Sequence, residues 1–154
     1  MNPPANPGHE RMADRELVTS RVIAAPRARV WQAFTDPALL ARWWGPAGFS
    51  NSFECFEPRA GGSWRFVMHG PDGVDYPNES VFTEVVDQQR IVFDHLSAPR
   101  FEMTLTFTDH GDRTALGWRQ RFATAEDCRR IAPIAVPANE QNIDRLAALL
   151  HATA

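Results

Sequence analysis

The chain is poor in every element that would staple, anchor or charge it. It holds two cysteines, Cys55 and Cys128. A domain of 154 residues can bury roughly 70% of its unfolded surface and needs no disulfide or metal to hold it together. Both thiols are therefore read as free, as in a reducing cytosol, which makes a cytoplasmic location the expectation. No apolar run approaches the roughly 18 residues of a membrane span, and the N-terminus lacks the apolar stretch of a signal peptide. Positive charge is not in excess either. The net charge is -3, so the surface as a whole offers nothing to nucleic acid. No phosphate loop, nucleophile elbow or nucleotide fingerprint occurs. The five histidines, at positions 9, 69, 95, 110 and 151, show no metal-ligand spacing. No metal and no cofactor is expected.

What the chain does have is aromatic mass. Ten Phe and five Trp stand against a single Tyr, which means a large apolar interior or a pocket wall. Residues 1–15 read as a tail, because Pro3, Pro4, Pro7, Asn2, Asn6 and Gly8 offer no periodic apolar face. Residues 16–154 read as one domain, with Met12 an alternative start. Leu17–Ala24 has the composition of a strand. Ala25-Pro26 then opens a helix with Val30, Trp31 and Phe34 as its buried stripe. Asp36-Pro37 opens a second, short helix through Leu39 and Leu40, ending near Trp43-Trp44-Gly45-Pro46.

Six further strands follow: Ser50–Glu57, Ser63–His69, Asn78–Val86, Arg90–Leu96, Arg100–Thr108 and Arg113–Phe122. The short separators, among them Pro71-Asp72-Gly73 and Asp109-His110-Gly111-Asp112, imply antiparallel hairpins. Phe101, Met103, Leu105 and Phe107 alternate with polar residues, so one face is buried and one wet. Thr124 caps a helix that Pro133 is expected to break. A last helix is expected from Pro137, with Ile143, Leu146, Ala147 and Leu150 on one side and Val136 and Asn139 extending the stripe backwards. An apolar sheet face and an apolar helix stripe must bury each other. The fold class is α+β: a curved antiparallel sheet of about seven strands around a long C-terminal helix, with two short helices after the first strand.

Several strings carry a resemblance. They are Ala25-Pro26 before Val30-Trp31, Thr35-Asp36-Pro37, Trp43-Trp44-Gly45-Pro46, Arg59-Ala60-Gly61-Gly62, Met68-His69-Gly70-Pro71-Asp72-Gly73 and Asp144-Arg145-Leu146. In this order the chain, from Leu17 to Leu150, resembles the homologues of the activator of the ninety-kDa heat-shock chaperone ATPase. That family lies within the START-like, polyketide-cyclase and plant-allergen superfamily. The resemblance implies a helix-grip fold with a cavity between sheet and terminal helix, and binding of small hydrophobic molecules without a shared cofactor. Two positions depart from the pattern. Ala60 replaces a usual Pro, and Ala138-Asn139 replaces a Gly followed by an aromatic. The eukaryotic activators carry an extra N-terminal domain that engages the chaperone, and this chain has only its short tail there. Chaperone activation is therefore not expected.

The walls of such a cavity are expected from Trp44, Phe53, Trp64, Phe66, Met68, Met103, Leu105 and Trp118, with Ile143, Leu146 and Ala147 from the helix. His95, Gln120 and Asn139 are the polar groups expected to orient a ligand. Of Trp43 and Trp44, one is expected in the core and one at the rim. Asp94 and His95 cannot form a dyad, since strand neighbours face opposite ways. Cys55 shares parity with Phe53 and is read as a small core residue. Arg65, Arg119 and Arg121 are read as a solvated sheet face.

The leading function is non-covalent binding of a small hydrophobic ligand by a monomer or homodimer, without nucleic-acid or membrane partners. A cyclase-type enzyme is the alternative, with His95 or Glu79 as acid or base. A protein-interaction module is the third reading. The charge pattern yields a first test: submicromolar, salt-sensitive DNA binding is not expected in a gel-shift assay, because the phosphate-neutralising term is missing.

Overall fold

Three of the five hairpins turn through glycine, at Gly61-Gly62, Gly73 and Gly111. Gly73 and Gly111 adopt φ of +83° and +76°. At Gly62 a Cβ would lie 2.0 Å from the Glu57 carbonyl oxygen. The computed structural model describes Met12–Thr153. The expected tail lies outside the described residues as far as Arg11. Its last part, Met12–Arg15, forms a 3-10 turn whose Arg15 carbonyl accepts from the Phe122 N–H at 2.8 Å.

Strand β1 (Glu16–Ile23) leads into helices α1 (Arg27–Thr35) and α2 (Pro37–Trp43). Strands β2 (Ser50–Phe56), β3 (Ser63–His69), β4 (Asp75–Val86), β5 (Arg90–His95), β6 (Phe101–His110) and β7 (Arg113–Arg121) follow, then helix α3 (Ala125–Ala152). The seven-stranded antiparallel sheet runs β1-β7-β6-β5-β4-β3-β2. Every pairing is thus a hairpin between sequence neighbours except β1 on β7. Helix α2 starts as its composition demands: the Asp36 carboxylate accepts from the Ala38 N–H at 2.9 Å and Pro37 holds the first turn. Thr124 caps α3 by accepting from the Asp127 N–H at 3.1 Å, with Glu126 and Asp127 in the first turn.

Three expectations are corrected. Pro133 does not break the last helix, and no separate helix begins at Pro137: α3 is one helix of 28 residues containing both prolines. Each proline removes one helical hydrogen bond, to the carbonyl four residues earlier, at Arg129 and Pro133. Both of those residues are exposed, so their carbonyls lie where water can replace the missing helical donor. Val136 does not continue the buried stripe, since it is 49% exposed. Cys55 does not share a face with Phe53. A bulge between them lets Phe53 and Phe56 both face the aromatic core, while Cys55 pairs with Arg65 on the outer face.

Helix α3 lies across the concave face. Ile143, Leu146 and Leu150 are buried there and Ala147 packs beside them. Its polar side is tied to β1. Arg21 pairs with Glu140 at 2.7 Å and also with Asp144, and the Thr19 hydroxyl donates to Glu140 at 2.6 Å. The outer face carries Arg119, which pairs with Glu16 at 3.7 Å, and Arg121, which pairs with Glu102 at 2.8 Å. These exposed ion pairs contribute little, and the burial of α3 carries the grip. Leu146→Ala is expected to cost about 2–5 kcal/mol in denaturant melts. A loss of less than about half a kcal/mol would show that the helix is not held by its stripe.

Candidate functional site

The site begins where α2 ends. Trp43 and Trp44 are both buried, with their rings edge to face at 5.5 Å; neither is left at an exposed rim. Trp43 turns into the core and donates its Nε1–H to the Ala33 carbonyl at 2.9 Å. Trp44 turns beneath the sheet, stacks on Trp118 (centroids 5.5 Å, 23°) and meets Trp64 at 5.2 Å.

The segment that carries Trp44 out of the helix is held by α3. The two terminal nitrogens of Arg145 donate to five carbonyls: Arg42, Trp44, Gly45, Pro46 and Phe49, at 2.9–3.2 Å. The Asn142 side-chain oxygen accepts from the Gly45 N–H at 3.1 Å, and that of Gln141 from the Ala47 N–H at 3.2 Å. Gly45 sits at φ +101°, and a Cβ there would lie 2.7 Å from the Met68 methyl. The Trp-Trp-Gly-Pro string therefore needs its glycine for conformation, and any side chain there would also push the Met68 methyl aside.

On the concave face, strand register aligns Trp64, Ser80, His95 and Phe101 side by side across β3 to β6. Phe66 lies opposite Asn78 in the next row. Between this end of the sheet and α3 is a cavity of about 470 Å³. Trp44, Trp64, Phe66, Met68, Phe93, Phe101 and Ile134 give it apolar walls, while Asn78, Ser80 and His95 supply polar groups. Tyr76 and Asp75 stand at its exposed rim. Deeper in, between α1, α2 and the sheet, the aromatics close up. Only about 10 Å³ remains between Phe34, Trp44, Trp64, Phe93 and Leu105, less than one ligand needs. The room expected along the whole helix is thus confined to one end.

Of the expected wall residues, Trp44, Trp64, Phe66, Met68 and His95 are brought together around this cavity. Leu105 borders the small void. Phe53 backs Trp64 at 5.7 Å, and Trp118 lies behind Trp44. Met103, Ile143, Leu146 and Ala147 belong to the packed core. Asn139 donates to Gln120 at 3.1 Å, so these two polar groups satisfy each other. Asn139 borders a separate recess of about 220 Å³ against β1. Glu79, the other candidate acid or base, is exposed and does not line the cavity. Sequence reasoning missed Asn78, Ser80, Phe93, Phe101 and Ile134. For Ser80 a signal existed, since it shares strand parity with the buried Phe82. Ile134 carried none, because the helix was expected to be broken beside it.

His95 is the buried titratable group of the site. Its Nδ1 lies 2.9 Å from the Pro99 carbonyl and its Nε2 2.7 Å from Asn78 Oδ1, and Phe101 stacks on the ring at 4.5 Å. Two acceptors suit a charged imidazolium. Burial opposes that charge and prevails over the backbone hydrogen bonds, holding the pKa below the ordinary histidine value. Asp94, on the opposite face, takes no part. Among the described residues no group of His, Cys, Asp and Glu is placed to hold a metal ion, and no helix is long and apolar enough to cross a membrane. Both cysteines are free thiols.

Residues 24–151 match the family described as activator of Hsp90 ATPase homolog 1-like protein. The chain belongs to this family. No curated protein matches it. Among solved structures, a Nitrosomonas europaea protein is 25% identical, with TM-score 0.84 over 92% of this chain and 97% of that one. A Mycobacterium smegmatis protein is 27% identical, with TM-score 0.82 over 95% and 97%. A Rhodobacter sphaeroides protein is 27% identical, with TM-score 0.81 over 90% and 93%. The family assignment supports a ligand-binding or co-chaperone type of fold and names no ligand.

Two outcomes are expected from this geometry. Arg145→Lys should destabilise the protein by about 2–4 kcal/mol, because a single ammonium cannot reach carbonyls spread over the whole turn. An unchanged denaturation midpoint would remove Arg145 from its organising role. His95 gives a pH signature. The unfolded chain takes up its proton near pH ~6.5, above the folded protein. Stability should therefore fall as pH drops through about 6.5 and keep falling until the folded ring itself protonates. Chemical melts between about pH 7 and 5 should show a flatter profile for His95→Gln; identical slopes would mean that burial does not disfavour the charge.

Proposed function

We propose that the protein binds a small apolar or aromatic molecule, without covalent chemistry, in the 470 Å³ cavity between β3–β6 and α3. The observation that carries this reading is the composition of the cavity: five aromatic side chains, Trp44, Trp64, Phe66, Phe93 and Phe101, and a thioether around a few converging polar groups. That is the pattern of a small-molecule site, and the volume lies within the usual range of about 300–1,000 Å³. Carriage, sensing or sequestration would all use such a site, and none needs a catalytic group. A cyclase-type reaction would need an acid or base with a free position. His95 lines the cavity, but both its ring nitrogens are already engaged, which supports binding over turnover.

Trp44 and Trp64 make the reading testable by their own fluorescence. An aromatic probe such as naphthalene should quench or shift tryptophan emission. At about 100 times its Kd it should stabilise the fold by about 2.7 kcal/mol, since only the folded state has the site. Ile134 is 72% exposed, so Ile134→Glu should fold normally while placing a charge at the mouth and weakening binding by about tenfold or more. No saturable binding of any apolar probe at millimolar concentration would sink the proposal. Unchanged affinity in Ile134→Glu would move the site elsewhere.

A further inference from the structure

We propose that the cavity selects an uncharged ligand carrying a carbonyl-type acceptor, which takes hydrogen bonds from both Trp64 and Ser80. This rests on the binding reading above and narrows it to a chemical class. The first observation is a pair of buried polar atoms with nothing to bond. The Trp64 Nε1–H and the Ser80 hydroxyl have no hydrogen-bond partner in the protein, at residues 2% and 0% exposed. The two residues are register partners on β3 and β4, so their side chains share the concave face, and both belong to the cavity wall. Buried polar groups are nearly always satisfied, and an orphan pair beside a cavity marks partners supplied from outside. The Trp118 Nε1–H is also unpartnered, but Trp118 does not border the cavity.

The donor set fixes the class. An indole N–H donates only, and a hydroxyl can donate. One carbonyl oxygen has two lone pairs and can accept from both. The second observation is charge. All sixteen cationic side chains of the sequence are arginine, and none lines the cavity. The one carboxylate at the rim, Asp75, is tied to His69 at 2.7 Å. A carboxylate or phosphate head would be stripped of water without a counter-charge, which a neutral carbonyl avoids. With no lysine in the chain, a ketone meets no side-chain amine to condense with, so the contact is a hydrogen bond.

Three probes sharing one ring system separate the possibilities: naphthalene, 2-acetylnaphthalene and 2-naphthoate. In the wild type the ketone should bind about tenfold tighter than naphthalene, the order of one net hydrogen bond, and at least tenfold tighter than the carboxylate. Its carbonyl stretch should move to lower frequency on binding. Ser80→Ala and Trp64→Phe should each reduce the ketone-to-naphthalene ratio and the infrared shift. The ratio corrects for any change in cavity shape. Ser80→Ala should also melt no lower than wild type, because it removes an unmet polar group. Equal binding of ketone and naphthalene, or ratios unchanged in both variants, would overturn the carbonyl assignment and leave the binding reading standing. Tightest binding by 2-naphthoate would overturn the neutral class. If none of the three binds at millimolar concentration, the binding reading falls and this inference with it.

Discussion

The guanidinium of Arg145 is the interaction on which the architecture turns. A helix that stops as abruptly as α2 leaves carbonyls pointing along its axis, and the next residues run as irregular backbone under the sheet. Irregular backbone in a buried place needs partners for each of its polar groups. Arg145 supplies them for five residues at once, with Asn142 and Gln141 completing the set from the same helix. Burial holds the Arg145 pKa somewhat below its ordinary value, yet an arginine stays charged under any ordinary condition. The clamp therefore does two jobs. It ties α3 to α2, and it fixes Trp44 where its ring can stack on Trp118 and form one wall of the cavity.

The clamp also divides α3. Past Asn139 the helix is fastened by Arg145, by the ion pairs to β1 and by a fully buried stripe. Before Asn139 it has two prolines, few buried side chains, and Ile134 and Val136 largely in water. The cavity lies under this first part. A helix pressed down along its whole length would have closed the sheet completely, as the aromatics do behind Trp44. Seating the first part on small residues only, Ala125, Cys128 and Ala135, leaves the space open.

Much of this was legible in the chain, and the exceptions have local causes. Strand β3 and helix α2 match their expected spans because alternation and the Asp36-Pro37 start signal are strong, purely local rules. The terminal stripe was readable for the same reason. Pro133 misled because proline forbids one hydrogen bond, and sequence alone does not say whether water can replace it. The bulge in β2 inverted the face of Cys55, since strand parity holds only while the ladder is unbroken. Asn139 sits on the expected side of the helix, but its partner Gln120 could be found only once β7 was placed beside α3. The position of the cavity was the hardest feature to read. It depends on which part of the aromatic cluster packs solid, and side-chain volume without register does not decide that.

Several departures from local rules gather around one place, while the unpartnered Trp118 indole and Asn51 side-chain oxygen lie outside it. The helix prolines flank Ile134, a histidine is wedged between two acceptors, and an indole and a hydroxyl lie buried without partners. All border or approach the same cavity. Elsewhere most of the capping and turn chemistry agrees with the fold, the uncapped start of α1 and Gln88 at φ +57° in the β4–β5 turn being exceptions. A sequence under no constraint but stability would have removed these conflicts cheaply, with alanine at position 80 or a good helix former at 133. Where local and global preferences disagree in an otherwise consistent chain, the disagreement is a guide to function. Here it converges on Trp64, Ser80 and His95, three residues on adjacent strands whose side chains share one face of the sheet.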